Sequence, residues 1–372
     1  MDPTTDDSPE LPATSLIAPG AEPGGFSAAR SPQYAPIDVI AYGPDKLTQK
    51  TVGDAAEVKA LLDSHAVTWV NIDGPANPDD LAKLGELFGL HPLALEDVVN
   101  TRQRSKVDNY GQHHYMVTRI ISLARKLDTE QVSLFFGANF VITFQEKPGG
   151  DCFHPIRERI RASAGKIRQE KADHLAYALI DAVIDGYFPV LEQIGERLET
   201  LEDEILEKAD NLTPHKIHAI KRDVLALRRT IWPLRDAVNS LYRDASELVS
   251  ADTKMYIRDC YDHAIRIIEM VEMYRELCSD LMQLHLSKVS NKMNEVMKVL
   301  AIITSLFIPP TFIASIYGMN FNPDKSPLNM PELNWFFGYP VALAVMAVLV
   351  LTLVFFLYWK GWLKGLFNRK TD

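Results

Sequence analysis

Short apolar stretches, long helical periodicities and two unbroken apolar runs follow one another along this chain of 372 residues. Residues 37–42, 67–72, 114–122, 132–136 and 140–144 are short and rich in β-branched or aromatic side chains, the composition of strands. The last two flank Gly137-Ala138-Asn139, a hairpin turn signal. Residues 78–88 and 92–99 read as helices, each with proline in its first turn. Together these elements predict a small α/β domain over residues 36–150. From 155 to 286 the pattern is that of long helix, with Leu191, Ile194, Leu198, Leu201 and Ile205 at heptad-like intervals. Thr213-Pro214 marks one helix start as N-cap and first-turn proline. Asp252 opens another, which meets no proline before Pro309 and would run roughly 85 Å at ~1.5 Å per residue.

Residues 299–317 and 339–359 contain no charged side chain. Each is close to the ~20 residues that cross a hydrocarbon layer ~30 Å thick. Trp335, Phe336, Phe337 and Tyr339 crowd one end of the second run, and Tyr358, Trp359 and Trp362 the other, as aromatic residues do at membrane interfaces. The fold class expected is therefore an α+β membrane protein: an N-terminal cytoplasmic α/β domain, a helical domain and stalk over 151–298, and two transmembrane helices. Lys288, Lys292 and Lys298 precede the first span, and Lys360, Lys364, Arg369 and Lys370 follow the second. The loop at 318–338 offers only Lys325 against Asp324 and Glu332. Basic residues mark the cytoplasmic side, so both termini are expected there, with the loop outside and the protein multi-pass in the cell (inner) membrane. Residues 1–35 read as a disordered tail with no apolar signal segment, and 360–372 as a basic cytoplasmic tail.

Asn294, Met297, Ala301, Thr304, Ile308, Thr311 and Ser315 recur at steps of three and four, which places them on one face of the first spanning helix. Small and hydroxyl residues on such a face serve either close helix packing or a water-filled pore. A pore would need a ring of subunits, since one helix encloses nothing. Pro309-Pro310 removes two backbone donors within the span, which membrane helices tolerate when other groups satisfy the freed carbonyls.

The loop opens with Tyr317-Gly318-Met319-Asn320-Phe321 and continues to Met330-Pro331-Glu332-Leu333. A Gly-Met-Asn triplet directly after the first of two C-terminal spans resembles the signature of the CorA family of magnesium and cobalt channels. The preceding segment 290–300, the stretch Gly89-Leu90-His91-Pro92-Leu93-Ala94-Leu95-Glu96-Asp97, and residues 222–235 with Ile231-Trp232-Pro233-Leu234 resemble the family too. The likeness covers roughly residue 36 to the C-terminus. The loop between Phe321 and Met330 is longer than the family's, and Ser315 stands where the family often has glycine. The resemblance implies a funnel-shaped homopentamer in the lipid bilayer, its pore lined by the first spans, including Leu300. It implies a selectivity filter at Gly318, Met319 and Asn320, whose neutral oxygens suit a magnesium ion that keeps its waters. It further implies a regulatory divalent-ion site between subunits built from Asp97 and Asp259, with Glu96 and Asp181. Magnesium would thus be both cargo and regulator, and cobalt a second cargo. Met297, Leu300 and Ile308 would form the apolar rings that close the pore by dewetting.

Composition narrows the alternatives. The formal net charge of −10 disfavours nucleic acid as a partner. No glycine-rich phosphate loop and no nucleophile elbow is present, so no nucleotide and no enzymatic activity are expected. Glu332 and Asp324 would either focus the field on cations or be ordinary solvated loop charges. Cys152, Cys260 and Cys278 lack metal-finger spacing and read as reduced structural thiols. His113 and His114 point to opposite faces of a strand and cannot easily chelate one ion. The remaining histidines, His215 and His218 among them, read as surface or cap residues. The spans and loop hold no histidine or cysteine, which favours a hard ion. The expectation is a channel for magnesium and cobalt entering down the electrochemical gradient, gated by cytoplasmic magnesium. Its rivals are a zinc or other transition-metal transporter of the same family, proton-coupled, and a membrane-anchored metal-dependent enzyme or scaffold.

Overall fold

The computed structural model describes residues 34–53, 56–124, 126–149, 151–207, 213–319, 322, 325–326 and 328–362. Residues 1–33, Asn320, Phe321, Asp324 and 363–372 lie outside the described residues. The chain divides into two compact units, Met1–Met282 and Gln283–Asp372.

The first unit is built on a seven-stranded sheet: β1 (Ile37–Tyr42), β2 (Leu47–Val52), β3 (Val67–Asp73), β4 (Lys106–Asn109), β5 (His113–Leu123), β6 (Leu127–Gly137) and β7 (Phe140–Gln145). Their order is β2-β1-β3-β7-β6-β5-β4. Every described pairing is antiparallel except β3 with β7, which are parallel with Thr68 opposite Phe140 and Trp69 opposite Val141. The five expected strands are all present, with β5 and β6 longer than their apolar centres. β2 and β4 are additions, both on sheet edges and both polar. Strands β3 and β7 are buried on both faces, which is why they read as continuous apolar runs rather than alternating ones.

One face of the sheet carries α1 (Ala56–Ser64), α2 (Pro78–Phe88) and α3 (Pro92–Val99). Ile37, Val70, Tyr115 and Phe135 from the sheet meet Leu84, Phe88 and Leu95 from these helices in one buried cluster. Helix α2 starts at Asn77, whose side chain accepts from Asp79 N, and ends at Gly89, whose φ of +62° glycine adopts without steric cost. Helices α2 and α3 approach so closely that a Cβ at Gly85 would lie 2.5 Å from Leu95 Cδ1.

Helices α4 (His154–Arg161), α5 (Ala172–Asp185), α6 (Tyr187–Glu207), α7 (Thr213–Arg243) and α8 (Ala251–Tyr317) follow. The continuous helix expected before residue 213 is thus broken twice. Between α4 and α5 the backbone turns left-handed at Ser163 and Gly165. Between α5 and α6, Pro189 has no N–H to give the Asp185 carbonyl four residues earlier, so the ladder cannot run through. Beyond that break the heptad reading holds. Leu191, Ile194, Leu198, Leu201 and Ile205 are all buried, as are Ile217, Ile220, Val224, Leu227 and Ile231 on α7, at the spacing that packs two helices along a seam.

The start of α8 is fastened to α5. Ser250 N and Oγ donate to Asp173 Oδ2 at 2.9 and 2.7 Å, and Ser250 Oγ accepts from Thr253 N at 3.2 Å. Burial raises the Asp173 carboxyl, but the donors on Ser250 and Thr253 outweigh it and hold the group below the usual carboxylate range. A folded-state value below the unfolded one adds stability above the unfolded value and loses it as pH falls through the folded one.

The second unit contains the later turns of α8, a 3-10 turn at Pro331–Asn334 and α9 (Gly338–Trp359). The most apolar windows of α8 and α9 are only 6% buried, whereas the window within Ala172–Glu207, also apolar, is 61% buried. That contrast separates core from membrane. The apolar stretch within Ala172–Glu207 is mostly interior to the first unit, while α8 and α9 present Phe307, Phe312, Leu351 and Phe355 outward, the inverse of a water-soluble fold.

Candidate functional site

The chemistry-bearing residues fall in three places. The first lies where α5 meets α8. Asp181 and Asp185 come from successive turns of α5, and Asp259 and His263 from successive turns of α8. One oxygen each from Asp181 and Asp185 and a nitrogen of His263 all lie within 4.8 Å of one another. His263 Nδ1 is 3.7 Å from Asp185 Oδ1, and its Nε2 is 3.8 Å from Asp259 Oδ2. Cys260 Sγ donates to Asp181 Oδ1 at 3.5 Å, and Tyr177 OH to Asp181 Oδ2 at 3.5 Å. Burial, reinforced by the neighbouring Asp185 charge, pushes the Asp181 carboxyl up. A divalent cation would reverse that penalty by supplying the opposite charge. Two carboxylates and an imidazole are a fitting donor set: the oxygens suit hard ions and the nitrogen suits transition metals. His263 was not singled out as a ligand in the sequence, because its partner Asp185 belongs to another helix.

Asp97 and Glu96 stand elsewhere, side by side on α3. Asp97 Oδ1 accepts from Gln103 Nε2 at 2.7 Å and Oδ2 pairs with Lys106 Nζ at 2.6 Å. Only 18% of the Asp97 side chain is exposed, against 68% for Asp259. Asp97 is therefore already neutralised within its own chain, and an ion that takes it must compete with Lys106. The structure groups Asp181 with Asp259 and Glu96 with Asp97; the two pairs are not in one cluster.

The second place is the outward face of α8 in the second unit. Asn294, Met297, Leu300, Ala301, Thr304, Ile308, Thr311 and Ser315 are all exposed. Thr304, Ile308, Thr311 and Ser315 line a shallow cavity of about 520 Å³ with Ile303, Phe307 and Phe312. Each hydroxyl donates back along its own helix: Thr304 Oγ1 to Leu300 O at 2.8 Å, Thr311 Oγ1 to Phe307 O at 2.7 Å, and Ser315 Oγ to Thr311 O at 2.8 Å. With its hydrogen committed, each oxygen turns lone pairs outward and can accept from water. Helix α8 runs through Pro309-Pro310 without a break; what these prolines remove are the donors for the Ser305 and Leu306 carbonyls.

The third place is the loop between α8 and α9. Gly318 N donates to Ala314 O at 3.1 Å and Met319 N to Ile316 O at 3.1 Å, so the helix tightens as it ends. Met319 is exposed, and Glu332 is half-buried in the 3-10 turn. Met330 turns the chain with φ +46°, a left-handed conformation unusual for a side chain with a Cβ. A Cβ at Gly338 would collide with the Glu332 carbonyl, so this return to α9 requires glycine. The expected filter residue Asn320 and the loop charge Asp324 lie outside the described residues.

The other residues weighed in the sequence are also placed. His113 and His114 are both buried. His114 Nε2 contacts the Asp244 carboxylate in the link between α7 and α8. His215 and His218 are exposed as expected, but His174 and His285 are buried rather than on the surface. The three cysteines are free thiols, and burial pushes Cys152 up to about 12 and Cys278 up to about 11.

Comparison with known proteins agrees with this architecture. The family model described as CorA-like Mg2+ transporter protein matches residues 64–360. The cobalt/magnesium transport protein CorA of Thermotoga maritima is 45% identical over 330 residues, spanning 88% of this chain and 92% of that protein. The complete structure of the CorA magnesium transporter from Methanocaldococcus jannaschii superposes with a TM-score of 0.73 at 20% identity, covering 88% of this chain and 98% of that one. The cytoplasmic domain of ZntB from Vibrio parahaemolyticus superposes with a TM-score of 0.56 at 15% identity, over 70% of this chain and all of that one. At such identities these two likenesses speak for the fold alone.

Proposed function

The chain belongs to the CorA-like Mg2+ transporter family, and on that premise we propose that it is a homopentameric channel admitting magnesium, and cobalt as a second cargo, into the cell. It is a membrane transporter, not an enzyme. What carries the channel reading is the hydroxyl stripe on α8: Thr304, Thr311 and Ser315, on a helix of membrane-spanning length, turn acceptor oxygens outward. A hydrated magnesium ion presents water hydrogens at its surface, so such oxygens hold it without stripping its shell. Five copies would surround a path that one helix cannot enclose. No nucleotide is needed, since an inside-negative potential supplies about 2.3 kcal/mol per charge per 100 mV, twice that for a divalent ion.

In this reading both termini are cytoplasmic, and the ring of Gly318 carbonyls and Asn320 amides, with Met319 between them, faces outside. Neutral oxygens there bind weakly enough to let the ion leave. Met297, Leu300 and Ile308 close the path as apolar rings. Cytoplasmic magnesium closes the channel by bridging Asp97 of one subunit and Asp259 of the next, with Glu96 and Asp181 beside them. Asp97 must then give up Lys106, which weakens the site and keeps it responsive to rising magnesium rather than permanently filled. Ion release leaves like charges facing each other and favours the open state.

The test is flux into liposomes holding the purified protein under an inside-negative potential, with magnesium and zinc compared across a pH gradient. Voltage-driven magnesium entry that internal magnesium stops is the expected result. Zinc entry that follows the proton gradient, with little magnesium flux, would overturn it in favour of the transition-metal branch of the family. Joint neutralisation, Asp97→Asn with Asp259→Asn, is expected to raise the magnesium concentration for half-closure about tenfold or more, about 1.4 kcal/mol of lost differential binding. Half-closure at the parent's concentration would remove these two residues from the sensor.

A further inference from the structure

Helices α6 and α7 carry opposite charge. Helix α7 holds seven basic residues against two acidic ones, and α6 seven acidic residues against one basic. Burial of their mutual seam leaves one exposed face on each. On α7 that face presents Arg222, Arg229 and Trp232; on α6 it presents Glu192, Glu196 and Glu199. The only salt bridge between the two helices among the described residues joins Lys216 to Glu204, near the turn that connects them. Arg222, Arg229, Glu192, Glu196 and Glu199 take part in no salt bridge among the described residues.

Trp232 is 38% exposed, a large amount for tryptophan. The Arg228 and Arg235 guanidinium groups lie 5.6 and 4.8 Å from its ring centroid. Arg228 is itself fixed by Glu272 of α8 at 2.8 Å. Stacked guanidinium groups hold an aromatic ring rigid while their edges stay open to carboxylates. An exposed tryptophan framed by arginines is the composition of an interface centre rather than of a solvated helix face.

We propose that this face of α7 docks on the acidic face of α6 in a second copy of the chain. Trp232 is the anchor, and Arg222 and Arg229 meet glutamates across the joint. The spacing agrees: Arg222 and Arg229 are two helical turns apart, about 10.5 Å, and so are Glu192 and Glu199. Because the two faces belong to different helices, each subunit offers its basic face to one neighbour and its acidic face to the other. Such a head-to-tail contact closes rings. Charge complementarity of this kind also fixes the direction in which subunits join. The inference rests on the self-assembly proposed above, but not on which ion is carried.

The experiment uses the full-length protein in detergent, with Arg229→Cys and Glu192→Cys, which face each other when α7 and the neighbour's α6 run antiparallel, in one chain and a flexible bis-maleimide as cross-linker. A ladder of cross-linked chains beyond dimer is expected. The parent should give none, since Cys260 and Cys278 are buried and Cys152 is half-buried with its thiol pushed up to about 12. Adding Arg222→Glu should cut ladder yield about tenfold, and further adding Glu199→Lys should restore it, because opposite charges again face each other. Light scattering on the same samples separates the two levels of the argument. Multimers without a ladder would overturn the α6–α7 joint and leave assembly standing; monomers would overturn both. A ladder that stops at two chains would overturn the head-to-tail arrangement.

Discussion

Replacement of Asn320 by alanine is expected to abolish magnesium entry while leaving folding and assembly intact. In a five-fold ring the substitution removes five amide acceptors at once. At about 1 kcal/mol for each hydrogen bond to the ion's waters, the loss is about 5 kcal/mol, or more than a thousandfold in occupancy of the mouth. The helix end before it is held by backbone bonds from Gly318 and Met319 to Ala314 and Ile316. Fluorimetric magnesium uptake into liposomes measures the effect, with calorimetry on the same sample to confirm an unchanged unfolding transition. Parent-level uptake by Asn320→Ala would take the filter away from the Gly-Met-Asn segment.

The largest expected effect on stability lies in the centre of the sheet, at Trp69→Ala. Trp69 is fully buried on β3. Its Nε1 donates to Thr143 Oγ1 on β7 at 2.9 Å, its ring meets Phe153 edge-on at 6.1 Å, and the Arg157 guanidinium lies 5.4 Å from the ring centroid. Truncation leaves a cavity and a half-buried arginine without its aromatic face, while the Thr143 hydroxyl loses one donor but still donates to Asn71 Oδ1 at 2.6 Å. Large-to-small changes of this kind cost about 3–5 kcal/mol. A domain of this size loses about 2–4 °C per kcal/mol, so the first unfolding transition should fall by about 10 °C in calorimetry of the solubilised protein. A shift of only a degree or two would mean that the sheet is not the least stable part of the molecule.

The apolar runs were legible because bilayer thickness leaves a direct mark on composition: α9, Gly338–Trp359, matches 339–359 to within a residue, and 299–317 ends with α8 at Tyr317, although its start lies inside that long helix. The central strands were legible because burial on both faces demands unbroken apolar runs. The edge strands were not. β2, Leu-Thr-Gln-Lys-Thr-Val, and β4, Lys-Val-Asp-Asn, pair on one side only and carry few apolar positions, so nothing in their periodicity sets them apart from loop. Of the cluster where α5 meets α8, Asp181 and Asp259 follow from family likeness, but Asp185 and His263 do not. Their nearness depends on the crossing of α5 with α8, which no spacing within either helix encodes. The same holds for the contact of His114 with Asp244, separated by 130 positions. The Lys106 partner of Asp97 was hidden because it sits on the unrecognised β4.

The lone parallel joint between β3 and β7 has a consequence for biosynthesis. Strands β1 to β3 form one antiparallel group, with β2 and α1 between β1 and β3, and β4 to β7 form another through successive hairpins. Only β3 with β7 unites them, and there Trp69 and Thr143 are 74 positions apart. Closure of so long a loop comes late, because its entropy must be overcome before any contact rewards it. Yet Gln145 leaves the ribosome roughly 150 residues before Val299, on the order of ten seconds at ordinary translation rates. The sheet thus has time to close while the first span is still unmade, and the α/β domain is committed to its fold before the apolar helices exist.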